Sequence, residues 1–129
     1  MADYDGKQFD PPAPVAIVTI RTLDRSHSRS DVAMLIDSGA DVTLIPKACA
    51  ENLELEGATE VGLHLQGFDG GTIAVKVVEA ELVFLGRNFH GHFPLIHGEC
   101  GILGRNVLNN LSLVLDGPRL CWREETAEK

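Results

Sequence analysis

Asp37-Ser38-Gly39-Ala40 occurs once in this chain, between two apolar runs, Val32-Ala33-Met34-Leu35-Ile36 and Val42-Thr43-Leu44-Ile45. Asp-Ser-Gly alone is a common surface turn. Solvent turns seldom interrupt a long hydrophobic stretch, however, and these flanks read as strands entering and leaving a tight bend. One carboxylate, Asp37, is thereby delivered at the end of buried structure. Gly39 lets the backbone approach that carboxylate and permits a φ that other residues resist, while Ala40 keeps the floor of the bend small.

A second segment, Gly101-Ile102-Leu103-Gly104-Arg105-Asn106-Val107-Leu108, lies downstream. By itself it is an ordinary strand-to-helix connection. In this order, and with the glycine-rich stretch Gly67-Phe68-Asp69-Gly70-Gly71 between them, the two segments resemble the signature of retropepsin-like aspartic proteases. That family's half-site reads hydrophobic-Asp-(Thr/Ser)-Gly-Ala, and its late motif reads apolar-apolar-Gly-Arg-(Asn/Asp). The resemblance runs from Val15 to Trp122, although the specific motifs fill only a small part of that span. It implies a mainly β fold, a retropepsin-like closed β-barrel protomer with a flap hairpin and one or two short helices.

The resemblance also implies a reaction. Hydrolysis of a peptide bond without a metal or covalent intermediate needs one group to deprotonate water and another to protonate the carbonyl oxygen. In aspartic proteases generally, two carboxyls about 3 Å apart do both, because like charges that close hold one proton between them. That proton belongs to the pair rather than to either residue. This chain supplies one such aspartate, so the implied enzyme is a symmetric homodimer with its two-fold axis between the two copies of Asp37. Ser38 would hydrogen-bond across that axis and stiffen the paired loops.

Further roles come from the same resemblance. Asp41 and Arg105 are expected to form a bidentate salt bridge beneath the active-site loop. Gly67, Phe68, Asp69, Gly70 and Gly71 are expected at the tip of a flap that closes over the substrate and excludes water. Ile73, Ile102 and Leu103 are expected to line pockets for apolar side chains beside the scissile bond. No cofactor and no metal is required.

Composition limits the partners. The 129 residues fit one domain, divided into a flexible or extended leader at 1–14, a protease domain at 15–123 and a charged tail at 124–129. A formal net charge of −8 argues against nucleic acid as a partner. No run approaches about eighteen consecutive apolar residues, so no membrane span is expected. Cys49, Cys100 and Cys121 are odd in number and lack Cys-x-x-Cys spacing, which fits free thiols in a reducing, cytoplasmic setting.

Along the chain, strands are expected at Val15–Leu23, Val32–Ile36, Val42–Ile45, Glu60–Gln66 and Thr72–Leu85. Pro46 at a first helical position predicts a short helix through Leu53, and a second is expected over Gly104–Asn110. Leu111–Leu115 and Arg119–Arg123 flank Asp116-Gly117-Pro118 and read as a C-terminal hairpin. In cellular and some gammaretroviral relatives, C-terminal strands dominate the dimer interface. Leu111, Leu113, Leu115, Leu120 and Trp122 would supply its apolar area here, unless the hairpin completes the protomer's own sheet. His90 and His92 form a His-x-His pair facing one side of a strand, a pattern able to bind metal. Glu99 and Cys100 follow closely, but solvent-facing alternation is the expected reading.

These features favour an endopeptidase that cleaves an extended peptide or protein between apolar residues. A non-catalytic peptide-binding or dimerisation module that keeps the fold, and a narrow processing enzyme with one natural target, remain as alternatives.

Overall fold

The computed structural model describes residues 1–53, 59–63 and 73–126. It contains strands β1 (Ala2–Asp5), β2 (Ala13–Arg21), β3 (Ser28–Ile36), β4 (Ile45–Pro46), β5 (Thr59–Leu63), β6 (Ile73–Phe84), β7 (Arg87–Ile96), β8 (Gly101–Leu103), β9 (Leu113–Asp116) and β10 (Cys121–Glu124). Two short helices, α1 (Lys47–Asn52) and α2 (Arg105–Leu108), complete the described elements. Pro46 precedes α1 as its N-cap rather than opening it.

Side-chain alternation drives this arrangement. In β2, Ala16, Val18 and Ile20 are buried while Ile17 is exposed, as period-2 geometry requires of a sheet with one wet face. In β6, Val78, Ala80, Leu82 and Phe84 face the same core, joined by Met34 from β3, Ile45 from β4 and Leu103 from β8. The pairing runs β4-β7-β6-β2-β1-β10-β9, with β3 added to β2 and β8, and β5 added to β6. The bridge between Leu44 and Ile102 ties the segment entering β4 to β8, so β2, β3, β8, β4, β7 and β6 are linked in succession.

The N-terminal segment is structured, which differs from the expected leader. β1 pairs with β10 through Ala2 and Trp122, and with β2 through Tyr4 and Pro14. Pro11 and Pro12 fall in the connection between β1 and β2, so neither removes a donor from a ladder. Ala2 and Tyr4 pack on the core and hold the strand in place.

The C-terminal hairpin forms as expected, with Cys121 opposite Asp116 and Glu124 opposite Leu113. Trp122 points inward, however. It is buried, packs in a tilted arrangement against Phe84 with ring centroids 5.9 Å apart, and its Nε1–H donates to the Val15 carbonyl at 3.1 Å. That residue is part of the protomer's core and is not available to a partner. Trp122→Ala is expected to lower unfolding free energy by about 3–5 kcal/mol through the cavity it leaves. A urea melt reads the change, and an unaltered midpoint would show that β10 is anchored by other contacts.

Candidate active site

β3 carries the chain to Ile36 in parallel register with β8, pairing Met34 with Gly101 and Ile36 with Leu103. The Asp37 N–H continues this ladder by donating to the Leu103 carbonyl at 3.1 Å. The chain then turns. The Ala40 N–H donates to the Asp37 carbonyl at 3.1 Å, and the Gly39 N–H donates to Asp37 Oδ1 at 2.9 Å. On its return the chain lines the other side of β8, where Leu44 and Ile102 exchange two N–H···O bonds of 2.9 Å. β8 is therefore clasped between the strand that delivers Asp37 and the segment that leaves it.

This clasp leaves no room for side chains at two glycines. A Cβ on Gly104 would lie 2.4 Å from the Val42 carbonyl oxygen and 2.9 Å from that of Ala40. One on Gly101 would lie 2.6 Å from the Leu44 oxygen. At Gly39 a Cβ would stand 3.1 Å from Asp37 Oδ1. The described glycines with positive φ are Gly86 and Gly98, so Gly39 serves close approach to the carboxylate rather than a left-handed turn.

Arg105 reaches the loop by a different route from the one expected. Its backbone N–H donates to the Ala40 carbonyl at 2.8 Å, and its Nη1 donates to the Ser38 carbonyl at 2.8 Å. Among the described residues no ion pair joins Arg105 to Asp41, which is exposed. A main-chain oxygen of the bend, rather than the neighbouring carboxylate, takes the guanidinium hydrogen bond.

One supporting residue, Thr43, lies outside the motif reading, and Asn106 of the late motif has no role assigned to it there. Thr43 is wholly buried. Its Oγ1 accepts the Gly104 N–H at 3.0 Å and donates to Asn106 Oδ1 at 2.7 Å, pinning both motifs together. The available signal is a single hydroxyl inside the apolar run Val42-Thr43-Leu44-Ile45, with an asparagine directly after Gly104-Arg105.

Asp37 is half-buried, while Ser38 and Gly39 are exposed and Ala40 is half-buried. Of the expected pocket residues, Ile102 is half-buried but Leu103 is fully buried in the core. Alternation along β8 sends the two side chains to opposite faces, so Leu103 is unavailable to a ligand. Ile73 begins β6, opposite Leu63 of β5. The expected flap tip, Gly67, Phe68, Asp69, Gly70 and Gly71, lies outside the described residues; β5 and β6 form an antiparallel pair on either side of it.

The site thus presents one carboxylate, held by the Gly39 N–H at the outer end of the clasp. A lone carboxylate does not serve as acid and base at once. The fold that holds it is similar to that of a solved retroviral protease. The structure matches EIAV protease complexed with the inhibitor HBY-793 at a TM-score of 0.58 and 23% sequence identity, over 76% of this chain and 86% of that one. The fold is therefore retropepsin-like. The aspartyl protease family model matches residues 18–107, a span that includes both motifs, and the chain belongs to that family. No curated protein matches the chain in sequence. Family and fold together support a peptidase.

The Thr43 link can be tested directly. Thr43→Val removes the acceptor for a buried N–H and is expected to cost about 1–3 kcal/mol of stability. Thr43→Ser keeps the hydroxyl and should recover much of that loss in the same denaturant titration. Unaltered stability in Thr43→Val would show that the hydroxyl does not hold the two motifs together.

Proposed function

We propose that this protein is an aspartic endopeptidase that works as a homodimer, with Asp37 of each subunit forming the catalytic pair. The observation that carries this reading is the Gly39 N–H held 2.9 Å from Asp37 Oδ1 on an exposed turn. One carboxylate oxygen is fixed by its own loop, and the other is left to meet a partner. Across a two-fold axis, two such groups share one proton. The ionised member takes a proton from water as it attacks the scissile carbonyl. The protonated member gives its proton to the carbonyl oxygen, and the tetrahedral intermediate then collapses with protonation of the leaving amine.

Ser38 lies exposed beside Asp37, where in this reading its hydroxyl bonds across the axis, and Arg105 donates to its carbonyl. The substrate is an extended peptide bound by strand-like hydrogen bonds under a flap built on β5 and β6. Gly67, Phe68, Asp69, Gly70 and Gly71 form its tip in this reading, and Ile73 and Ile102 contact apolar side chains. Among the described residues β9 pairs only with β10, and Leu115 and Leu120 on this hairpin are 51% and 46% exposed. They are the apolar contribution of this hairpin to the dimer, in place of the inward Trp122. Among the described residues no helix is long and apolar enough to cross a membrane.

A site made by two copies exists only in the dimer, so specific activity should fall on dilution as dimers dissociate. The rate should peak below neutral pH, where the pair holds its single proton. Peptide hydrolysis measured across a protein dilution series and a pH series checks both. Constant specific activity from a protein shown by sedimentation to be monomeric would contradict the dimeric site. A rate still rising in alkali would contradict the shared proton.

A further inference from the structure

The outer face of β6 and β7 carries a group of side chains that proteolysis does not use. Glu79 of β6 stands directly opposite His92 of β7, and Glu81 stands opposite His90. Residues two apart on a strand share a face and lie roughly 6.6 Å apart. Glu81 is taken up by Arg21, its cross-strand neighbour on β2, and by Arg25 at 3.3 Å. The Arg21 hydrogen bond chiefly, with charge from Arg25, holds the Glu81 carboxyl below its ordinary range. Glu79 is left to face both imidazoles. Its Oε2 lies 3.0 Å from His92 Nε2, and its Oε1 lies 3.9 Å from His90 Nε2.

We propose that Glu79, His90 and His92 form a binding site for a divalent transition metal ion on the outer face of the β6–β7 pair. Metal–nitrogen bonds of ~2.0–2.1 Å and metal–oxygen bonds of ~2.0–2.2 Å place a tetrahedral N···O pair about 3.4 Å apart. The two observed separations, 3.0 and 3.9 Å, fall on either side of that value. No group of three or more His, Cys, Asp and Glu among the described residues is poised to hold a metal as it stands. Closure here needs side-chain rotation, and exposures of 60% for His90, 69% for His92 and 39% for Glu79 leave them room. Two imidazoles and one carboxylate suit Zn²⁺, Ni²⁺ or Cu²⁺, whereas Mg²⁺ and Ca²⁺ prefer all-oxygen sets. Water completes the coordination. The third donor comes from the neighbouring strand, rather than from Glu99 or Cys100, which lie beyond β7.

Isothermal titration of the full chain with Ni²⁺ and Zn²⁺ tests this, with Mg²⁺ as the control ion. One Ni²⁺ should bind per protomer at neutral pH. The double variant His90→Gln/His92→Gln should lose that binding while keeping the unliganded melting temperature. Glu79→Gln should weaken it by about tenfold. His27, His64, His97 and the three cysteines remain in every variant, so an undiminished isotherm from the double variant would overturn the assignment. Absence of binding to the unaltered protein would overturn it equally. Full affinity in Glu79→Gln would remove Glu79 from the site. Peptide cleavage is not part of the readout, so the outcome is independent of the catalytic proposal.

Discussion

The structure turns on how closely the backbone passes around β8. Asp37 sits where it does because β3 pairs along Gly101 to Leu103 on one side of β8 while Leu44 hydrogen-bonds to Ile102 on the other. Such an approach requires bare backbone at both ends of β8. Carbonyl oxygens of Leu44, Val42 and Ala40 lie where Cβ atoms of Gly101 and Gly104 would be. Backbone cannot retreat the way the end of a flexible side chain can. Larger residues at either position would therefore push apart the strands that aim the carboxylate.

The polar groups drawn into this clasp are satisfied locally. Thr43 Oγ1 bridges Gly104 and Asn106, and Arg105 caps two carbonyls of the bend, those of Ser38 and Ala40. Among the described residues no buried side-chain nitrogen or oxygen lacks a partner. Buried polar groups without partners are costly, so this network makes the loop a rigid unit. Its outward side is different: Ser38, Gly39 and Asp41 are exposed. A preorganised inner face beneath an open outer face is what the proposed pairing of two such loops requires.

Much of this was legible from residue order. Asp37 and Gly104 were identifiable because turn chemistry interrupts apolar runs at both places, and β6, β9 and β10 follow from alternation around turn residues. The β1 strand was hidden because residues 1–14 are polar and proline-rich; only its partners, Trp122 and Pro14, reveal it. Arg105 was expected to pair with Asp41, and a sequence cannot say whether a guanidinium chooses a carboxylate or a main-chain oxygen. Leu103 and Ile102 look alike in sequence, and a parallel partner strand decides which one faces the core. Glu79 could not be joined to His90 and His92 without the cross-strand register. Tertiary pairing, rather than local propensity, supplied each of these missing facts.

The central claim is that Asp37 acts in pairs, one from each subunit. The most direct measurement is cleavage of a diverse peptide library across acid to neutral pH by the unaltered protein, by Asp37→Asn, and by mixtures of the two. The account predicts cuts between apolar residues in acid, none from Asp37→Asn, and a loss in mixtures that follows the square of the active fraction when subunits exchange freely. Cleavage by Asp37→Asn, or activity that falls only in linear proportion to the active fraction, would contradict it.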